Sequence, residues 1–378
     1  MKKVLFVATM VKTHIMEFHI PYLKMLQEDG WETAVAAKND YENPEECHIP
    51  YCDYYFDIPF ERSPIKKENI IAYRKLKAII EKGKFSVVHC HTPVGAALTR
   101  LSAMKMRRNG LKVIYTAHGF HFFKGAPVIN WLFYYTIEKI LAHYTDVLIT
   151  INKEDYDRAE RKFKIKHIIY VPGIGVDTSK FANEMSSDET FRKKTNIKKE
   201  YLWLVSVGEL NKNKNHIAVI KALAQISNKK IFYTIIGDGA NRDWLNKKIE
   251  FYRLQDRVYL TGYRDDVSSF YKSADAFIFP SLREGLSLAL MEAMASSLPV
   301  LCSKIRGNVD LIDECGGVFF DPQNIESIQS AIIQISNLTS EERDKMGRYN
   351  SSKIQSYDLS ITLKKINDIY RKIMEGEW

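Results

Sequence analysis

Two glutamates with seven residues between them, Glu284 and Glu292, stand around an expected helix start in FPSLREGLSLALMEAMASSLPVL (279–301). Glu284 follows a short apolar strand pattern, Ala276 to Phe279, and Gly285 lets the backbone turn tightly after it. From Leu286 onward, Leu288, Ala289, Leu290, Met291, Ala293, Met294 and Ala295 leave almost no polar break. That pattern predicts a helix apolar on all sides, and such a helix is buried. A carboxylate inside it needs a cation or hydrogen-bond donors, because an unpaired buried charge is strongly destabilising. The adjacent hydroxyls of a ribose would satisfy both oxygens of Glu292. The free N–H groups of Leu286 and Ser287 at the helix start make an anion site. Diol acceptor and anion site together read as a pocket for a nucleotide sugar.

Other residues of the same half fit that chemistry. In SVGELNKNKNH (206–216), Lys212 and Lys214 stand at an expected helix start. A cation there opposes the helix dipole unless an anion lies between them, and a diphosphate is such an anion. The alternative is a solvated basic turn. Gly237 opens the G-D-G turn at 237–239, where the backbone can come close to a ligand. The first half supplies histidines: His14, His19, His89, His91, His118 and His121. His118 heads HGFH after the strand pattern KVIYTA, and His14, His91 and His121 fall in or near other strand ends. Convergence of His14, His91, His118 and His121 on a metal is one reading. H-x-H at 89–91 and H-x-x-H at 118–121 lie on strand and loop rather than on one helix face, which favours a site without metal.

These residues need two scaffolds. With 378 residues the chain is too long for one ordinary core and suits two domains. In the first half, VLFVAT, TAVAA, SVVHC, KVIYTAH, DVLITI and HIIYVP have strand length, and amphipathic stretches separate them. One of these, 15–29, carries Phe18, Tyr22, Met25 and Leu26 at helical spacing with Pro21 near its start. Such alternation predicts a parallel sheet covered on both faces. VPGIGVDTSKF then breaks the pattern at Pro172, Gly173 and Gly175, and a linker is expected from there to about residue 200. The second half repeats the architecture with LWLVSV, IFYTII, VYLTG, AFIFP, PVLCS and GVFF, followed by helices over 323–336, 339–353 and 358–375. Ligand-binding residues are expected in loops after the carboxyl ends of the strands.

The order and spacing of several motifs carry a resemblance. FPSLREGLSLALMEAMASSLPVL resembles the E-x7-E signature of retaining glycosyltransferases of family 4, which have the GT-B fold. SVGELNKNKNH, TIIGDGANRDWL (234–245), YLTGYRDDVSSFYKSADAFIFPS (259–281) and SKIRGNVDLI (303–312) follow in the family's order. YTAHGFHFFKGAPVINWLFYYTIEKILAHYTDVLITIN (115–152) looks most like the branch that builds bacterial exopolysaccharide and capsule. The resemblance covers nearly the whole chain. It implies an α/β fold of two Rossmann-like parallel-sheet domains facing across a cleft: residues 1–175 for the acceptor and membrane, 176–357 for the donor. It also implies a last helix, 358–378, that crosses back to the first domain. By resemblance, Lys214 binds the donor phosphate, with Gly285, Leu286 and Ser287 beside it. Glu292 takes the ribose, and Gly237, Tyr263 and Arg264 line the nucleotide pocket. Glu284 stabilises the positive charge of an oxocarbenium-like transition state, or caps the following helix. His118 meets the donor sugar from the acceptor side, with His121 in support. The family usually has an arginine at the position of Glu209, and Lys212 or Arg283 would have to replace it. Its Gly-Gly pair in the first loop is missing from MVKTHIMEFH, which leaves Thr13 and His14 as donor contacts.

The net charge of +9 is concentrated. Residues 62–124 carry fourteen Lys or Arg against two acids, a local balance of +12. Together with Phe122, Phe123 and Lys124, expected in an exposed loop, this stretch reads as a surface for an anionic membrane and a lipid-linked glycan acceptor. Most of 127–143 reads as core. Five cysteines without a C-x-x-C pair suit a reducing cytoplasm, and no segment has the length of a membrane span. The expected protein is peripheral at the inner face of the cell membrane. It uses a nucleotide-sugar donor, UDP first, and no metal or other cofactor. A nucleotide-sugar epimerase on the same fold is the nearest alternative. A basic nucleic-acid-binding protein would explain 62–124 but leaves Glu292 without a reason.

Overall fold

A computed structural model of the chain describes residues 2–183, 191, 192, 195 and 197–378. They divide into two compact units, Met1–Ile174 with Ser360–Trp378 and Gly175–Leu359. The first contains seven strands: β1 (Lys3–Met10), β2 (Glu32–Lys38), β3 (Tyr54–Asp57), β4 (Val87–Cys90), β5 (Lys112–Ala117), β6 (Val147–Thr150) and β7 (His167–Tyr170). All pair in parallel, in the order β3-β2-β1-β4-β5-β6-β7. Runs such as Val4–Ala8 are buried throughout, as strands covered on both faces require. β3 has no counterpart in the sequence reading. It is a short edge strand, exposed at both ends, so it lacks an apolar pattern.

The turn after β1 is helical. Val11–Met16 forms a π turn, and α1 follows over Ile20–Glu28 with Pro21 at its start. On the sheet lie α2 (Glu68–Lys82) and α3 (Pro93–Arg107). Val128–Asn130, the π turn Trp131–Tyr135 and Thr136–Leu141 then run on as one helical stretch, α4. Here two expectations are reversed. Phe122 is fully buried, stacked on Phe120 with ring centroids 4.8 Å apart, and Phe123 is half-buried. The exposed apolar residues are on α4 instead: Val128, Ile129, Leu132, Phe133 and Ile140. The inward face of α4 carries the buried Glu138, whose carboxylate accepts from Arg100 of α3 at 2.7 and 3.2 Å.

The second unit holds β8 (Leu202–Val207), β9 (Ile231–Ile236), β10 (Val258–Gly262), β11 (Ala276–Phe279), β12 (Val300–Ser303) and β13 (Gly317–Phe320). They form a second parallel sheet in the order β10-β9-β8-β11-β12-β13. Its functional helices are α5 (His216–Gln225) and α6 (Leu288–Ala295). The expected linker begins otherwise than read. Thr178–Asn183 is helical, and Val176 and Phe181 are buried with Trp203 and Leu290 in the second core. Of the remaining expected linker, residues 184–190, 193, 194 and 196 lie outside the described residues. The last helix, α7 (Leu359–Met374), buries Ile366, Ile369, Tyr370 and Ile373 in the first unit with Val4 and Phe6.

Candidate active site

Each sheet has one place where the strand order reverses, between β1 and β4 and between β8 and β11. Chains leaving such neighbouring strands depart in different directions and open a crevice at their carboxyl ends. The candidate residues gather at these two places.

In the second unit, the loops after β8 and β11 are laced together. Asn213 donates its side-chain N–H to Arg283 O at 2.9 Å, and Leu282 N–H donates to Asn213 O at 2.8 Å. Asn215, in the left-handed region at φ 54°, donates to Pro280 O and Pro322 O at 3.2 and 2.9 Å. This lacing aims Lys214 at Glu284. Its Nζ lies 2.8 Å from Glu284 Oε1 and 4.8 Å from the Phe279 ring centroid. Both side chains are largely buried, which rules out a solvated basic turn. Lys212 and Arg283, by contrast, are exposed, and Glu209 is exposed and accepts from Asn211 at 2.9 Å.

The helix that follows starts two residues later than read. Ser287 is the N-cap of α6, and its Oγ accepts from Leu290 N–H at 3.4 Å. Glu284 therefore does not cap the helix. Gly285 is pinned from behind: a Cβ on Gly307 would lie 2.2 Å from Gly285 O, and Arg306 Nε donates to Glu284 O at 3.2 Å. Nor is α6 buried all round. Leu290, Met291, Ala293, Met294 and Ala295 are buried, while Leu288, Ala289 and Glu292 share a half-open face. Glu292 Oε2 accepts from the Tyr271 hydroxyl at 3.2 Å. Burial, and next the Glu292 charge, push the Tyr271 hydroxyl well above its ordinary pKa.

Gly237 serves a different end from the one read. At φ 140° its position is closed to a side chain because a Cβ would lie 2.1 Å from Gly208 O. The close approach is to the protein's own backbone. Gly208 in turn faces Lys214, whose Cε would be 3.1 Å from a Cβ there. Arg264 forms a two-point ion pair with Asp266, and the neighbouring Tyr263 is 73% exposed.

In the first unit, the ends of β1, β4 and β5 bring histidines together. His91 Nδ1 and His118 Nε2 are 3.2 Å apart. His14 lies 5.1 Å from His118 and His19 lies 3.9 Å from His91, centroid to centroid. Burial holds His118 down at about 4, and it lowers His14, His19 and His91 well below the ordinary histidine value, helped by the neighbouring imidazoles. All four are neutral at pH 7. His121 belongs elsewhere: its ring stacks on Tyr134 at 4.6 Å. Thr13 is engaged as well, its hydroxyl donating to Asp40 Oδ2 at 2.9 Å and accepting from Arg62 at 3.2 Å. Thr13, His14, His121, Arg62 and Tyr134 line one cavity of about 290 Å³.

Known proteins decide what this arrangement belongs to. The family described as "Glycosyl transferases group 1" matches residues 187–353, and "Glycosyl transferase 4-like" matches residues 3–152. EpsD of Bacillus subtilis (strain 168), provisionally named a glycosyltransferase, is 36% identical over 99% of this chain and 97% of its own length. The chain belongs to the family-4 glycosyltransferases. This transferase is also 28% identical, over 81% of its length and 82% of the relative's, to an Escherichia coli enzyme. That enzyme is named UDP-Gal:alpha-D-GlcNAc-diphosphoundecaprenol alpha-1,3-galactosyltransferase. The structure of Anabaena HepE with UDP and glucose superimposes with a TM-score of 0.80 at 15% identity, covering 98% of this chain and all of that one. The fold is thus GT-B, as the motif order implied.

Three residues of the candidate sites escaped the sequence reading, Tyr271, Gly208 and Arg306, and a fourth, His19, was named there without a task. Tyr271 is distant in sequence from Glu292, and no local pattern pairs them. Gly208 and Arg306 stand inside motifs already noted, so their signal was present but without an assigned task. His19 follows His14 by five residues, a spacing that a regular α-helix would spread apart and the π turn at 11–16 draws together.

Proposed function

We propose that this transferase moves a sugar, with retention, from a UDP-sugar to a lipid-linked glycan during surface polysaccharide assembly. The observation that carries the reading is the Lys214–Glu284 pair at the β8/β11 reversal, with Glu292 half-open on the helix that follows. Lys214 and the N–H groups at the start of α6 supply positive potential for a pyrophosphate. On binding, the ammonium turns from one anion to another, and Glu284 is left to face the sugar, where positive charge develops in the transition state. Glu292 Oε2 accepts from Tyr271, and a carboxylate has several lone pairs, so it can also accept from a ribose diol. The phosphate charge is met by lysine and helix terminus, so the reading gives the donor no metal. The names of the Escherichia coli relative and of the HepE complex support UDP and a lipid diphosphate acceptor.

The acceptor is assigned to the first unit. The cavity bordered by Arg62, Thr13 and His14 suits the polar end of a glycan diphosphate. The membrane-facing surface is reassigned from Phe122 to α4, where exposed Val128, Ile129, Leu132 and Ile140 stand with exposed Lys124 and Lys139. The test is to incubate the protein with labelled UDP-sugars and a polyprenyl-diphosphate glycan, then count label in the lipid phase. Transfer of label with net retention supports the reading. Interconversion of the UDP-sugar alone, with no labelled lipid for any donor, would overturn it.

A further inference from the structure

The histidine cluster at the ends of β1, β4 and β5 holds more than the transfer reading uses. His19 and His91 are fully buried, and His14 and His118 are half-buried beside them. Nitrogens in this position normally find hydrogen-bond partners, because an imidazole N–H or lone pair stripped of water is destabilising. Here both ring nitrogens of His19, Nε2 of His91 and Nε2 of His14 have none. His89 is a control within the same sheet. It is equally buried, yet its nitrogens meet the Tyr370 hydroxyl and the Thr116 hydroxyl, each at 2.8 Å. The fold can therefore satisfy a buried histidine here, yet in the other group His91 Nδ1 and His118 Nε2 meet only each other and four nitrogens are left without a partner.

The geometry of that group is that of ligands around one ion. One ring nitrogen from each of His14, His19, His91 and His118 lies within 4.8 Å of the other three. A tetrahedral zinc site with Zn–N near 2.0–2.1 Å has ligand atoms about 3.3 Å apart. His91 Nδ1 and His118 Nε2, which now face each other at 3.2 Å, have the separation of such an edge, and an ion between them would replace their hydrogen bond. The wider separations, up to 4.8 Å, require side-chain torsion on binding. We propose that His14, His19, His91 and His118 bind one divalent first-row transition ion, with zinc as the fitting member. Imidazole donors suit zinc and its neighbours, whereas calcium and magnesium require oxygen. Neutral imidazole is the form that ligates. His14 also borders the 290 Å³ cavity, which gives an ion a way in.

Four protein ligands leave no open position, so the ion would be structural. It would tie the π turn at Val11–Met16 and the entry of α1 to the ends of β4 and β5. The inference shares His14 and His118 with the transfer reading, but its measurements involve no sugar nucleotide, so the two fail separately.

The experiment uses the intact chain, treated with a chelator and dialysed. Zn²⁺ is added, and stoichiometry is read by elemental analysis and affinity by competition with a chromophoric chelator. Co²⁺ is added in parallel for its visible spectrum. The expected result is one Zn²⁺ per chain, a raised Tm, and the intense visible bands of tetrahedral Co²⁺. His19→Gln and the half-buried His14→Gln should each weaken Zn²⁺ by about tenfold or more, the scale on which even outer-shell partners act. His121→Gln, next to the cavity but outside the cluster, should leave affinity unchanged. If His19→Gln does not fold, His14→Gln alone decides. Absence of bound Zn²⁺ and Co²⁺ in the folded native chain would overturn the proposal. So would loss of affinity in His121→Gln with none in His14→Gln.

Discussion

Glu284 is where the reading of single residues is most exposed to test. Its backbone is fixed by Arg306, which donates to Glu284 O, and by Gly307 behind Gly285 O, and these contacts remain when Lys214, 2.8 Å away, turns to the diphosphate. The group is thus preorganised, so its loss should fall on the transition state more than on binding. Glu284→Gln should lower kcat by about two to three powers of ten, the scale of one lost electrostatic contact. The Kd for UDP should stay within a few-fold, read by titration beside steady-state kinetics. A variant with near-normal kcat would return Glu284 to a structural role. At this scale the sequence was informative where chemistry conflicts with pattern. A glutamate inside a run of Leu, Met and Ala signals a task by itself. Gly237 was read as making room for a ligand, when it makes room for Gly208 O, because a glycine shows that space is needed but not what fills it.

Among elements, the helices of the first unit are joined by a buried ion pair. Arg100 on α3 and Glu138 on α4 bind in a two-point arrangement, and the Tyr115 hydroxyl donates to Glu138 Oε1 at 3.2 Å. Charges this buried are costly when one partner is removed. Arg100→Met should destabilise the unit by about 3–5 kcal/mol, seen in urea unfolding, because Glu138 is left uncompensated. Replacing both residues by apolar ones should recover much of that loss. A double variant no more stable than Arg100→Met would show that the pair itself is favourable and not only the compensation of Glu138. The sheets were legible because fully buried parallel strands read as continuous β-branched runs. The edge strand β3 was not, since half its residues face solvent. The face of α4 was read the wrong way round. Its aromatic residues suggested core, and Trp131, Tyr134 and Tyr135 do pack inward, but Phe133 and the aliphatic Val128, Ile129, Leu132 and Ile140 are exposed. A π turn in its middle shifts the apolar period, and no pattern based on regular helical spacing follows that.

For the whole molecule, the account requires a membrane partner for the first unit and a nucleotide for the second. In the proposed reading, the basic balance of residues 62–124 and the exposed aliphatic residues of α4 act together at the membrane. The protein should sediment with vesicles containing anionic lipid, less at high salt, and Leu132→Asp should reduce the bound fraction without lowering Tm. Equal sedimentation with neutral vesicles would remove the electrostatic part. Unchanged binding of Leu132→Asp would remove α4. The division into two parallel-sheet units was legible from the twice-repeated alternation of strand and helix patterns. The place where the second core begins was not. Val176 and Phe181 sit in a stretch whose glycines and polar residues resemble a linker, and only packing against Trp203 shows that they belong to the core.

The central claim is that the second unit holds the nucleotide through Lys214 and Glu292. Its most direct test is calorimetric titration of UDP into the intact protein, Lys214→Ala and Glu292→Gln, each confirmed folded by its Tm. Hydrogen bonds to charged groups contribute about 1.5–3 kcal/mol, so each variant should bind UDP roughly 10- to 150-fold more weakly. Undiminished UDP affinity in both folded variants would contradict the account.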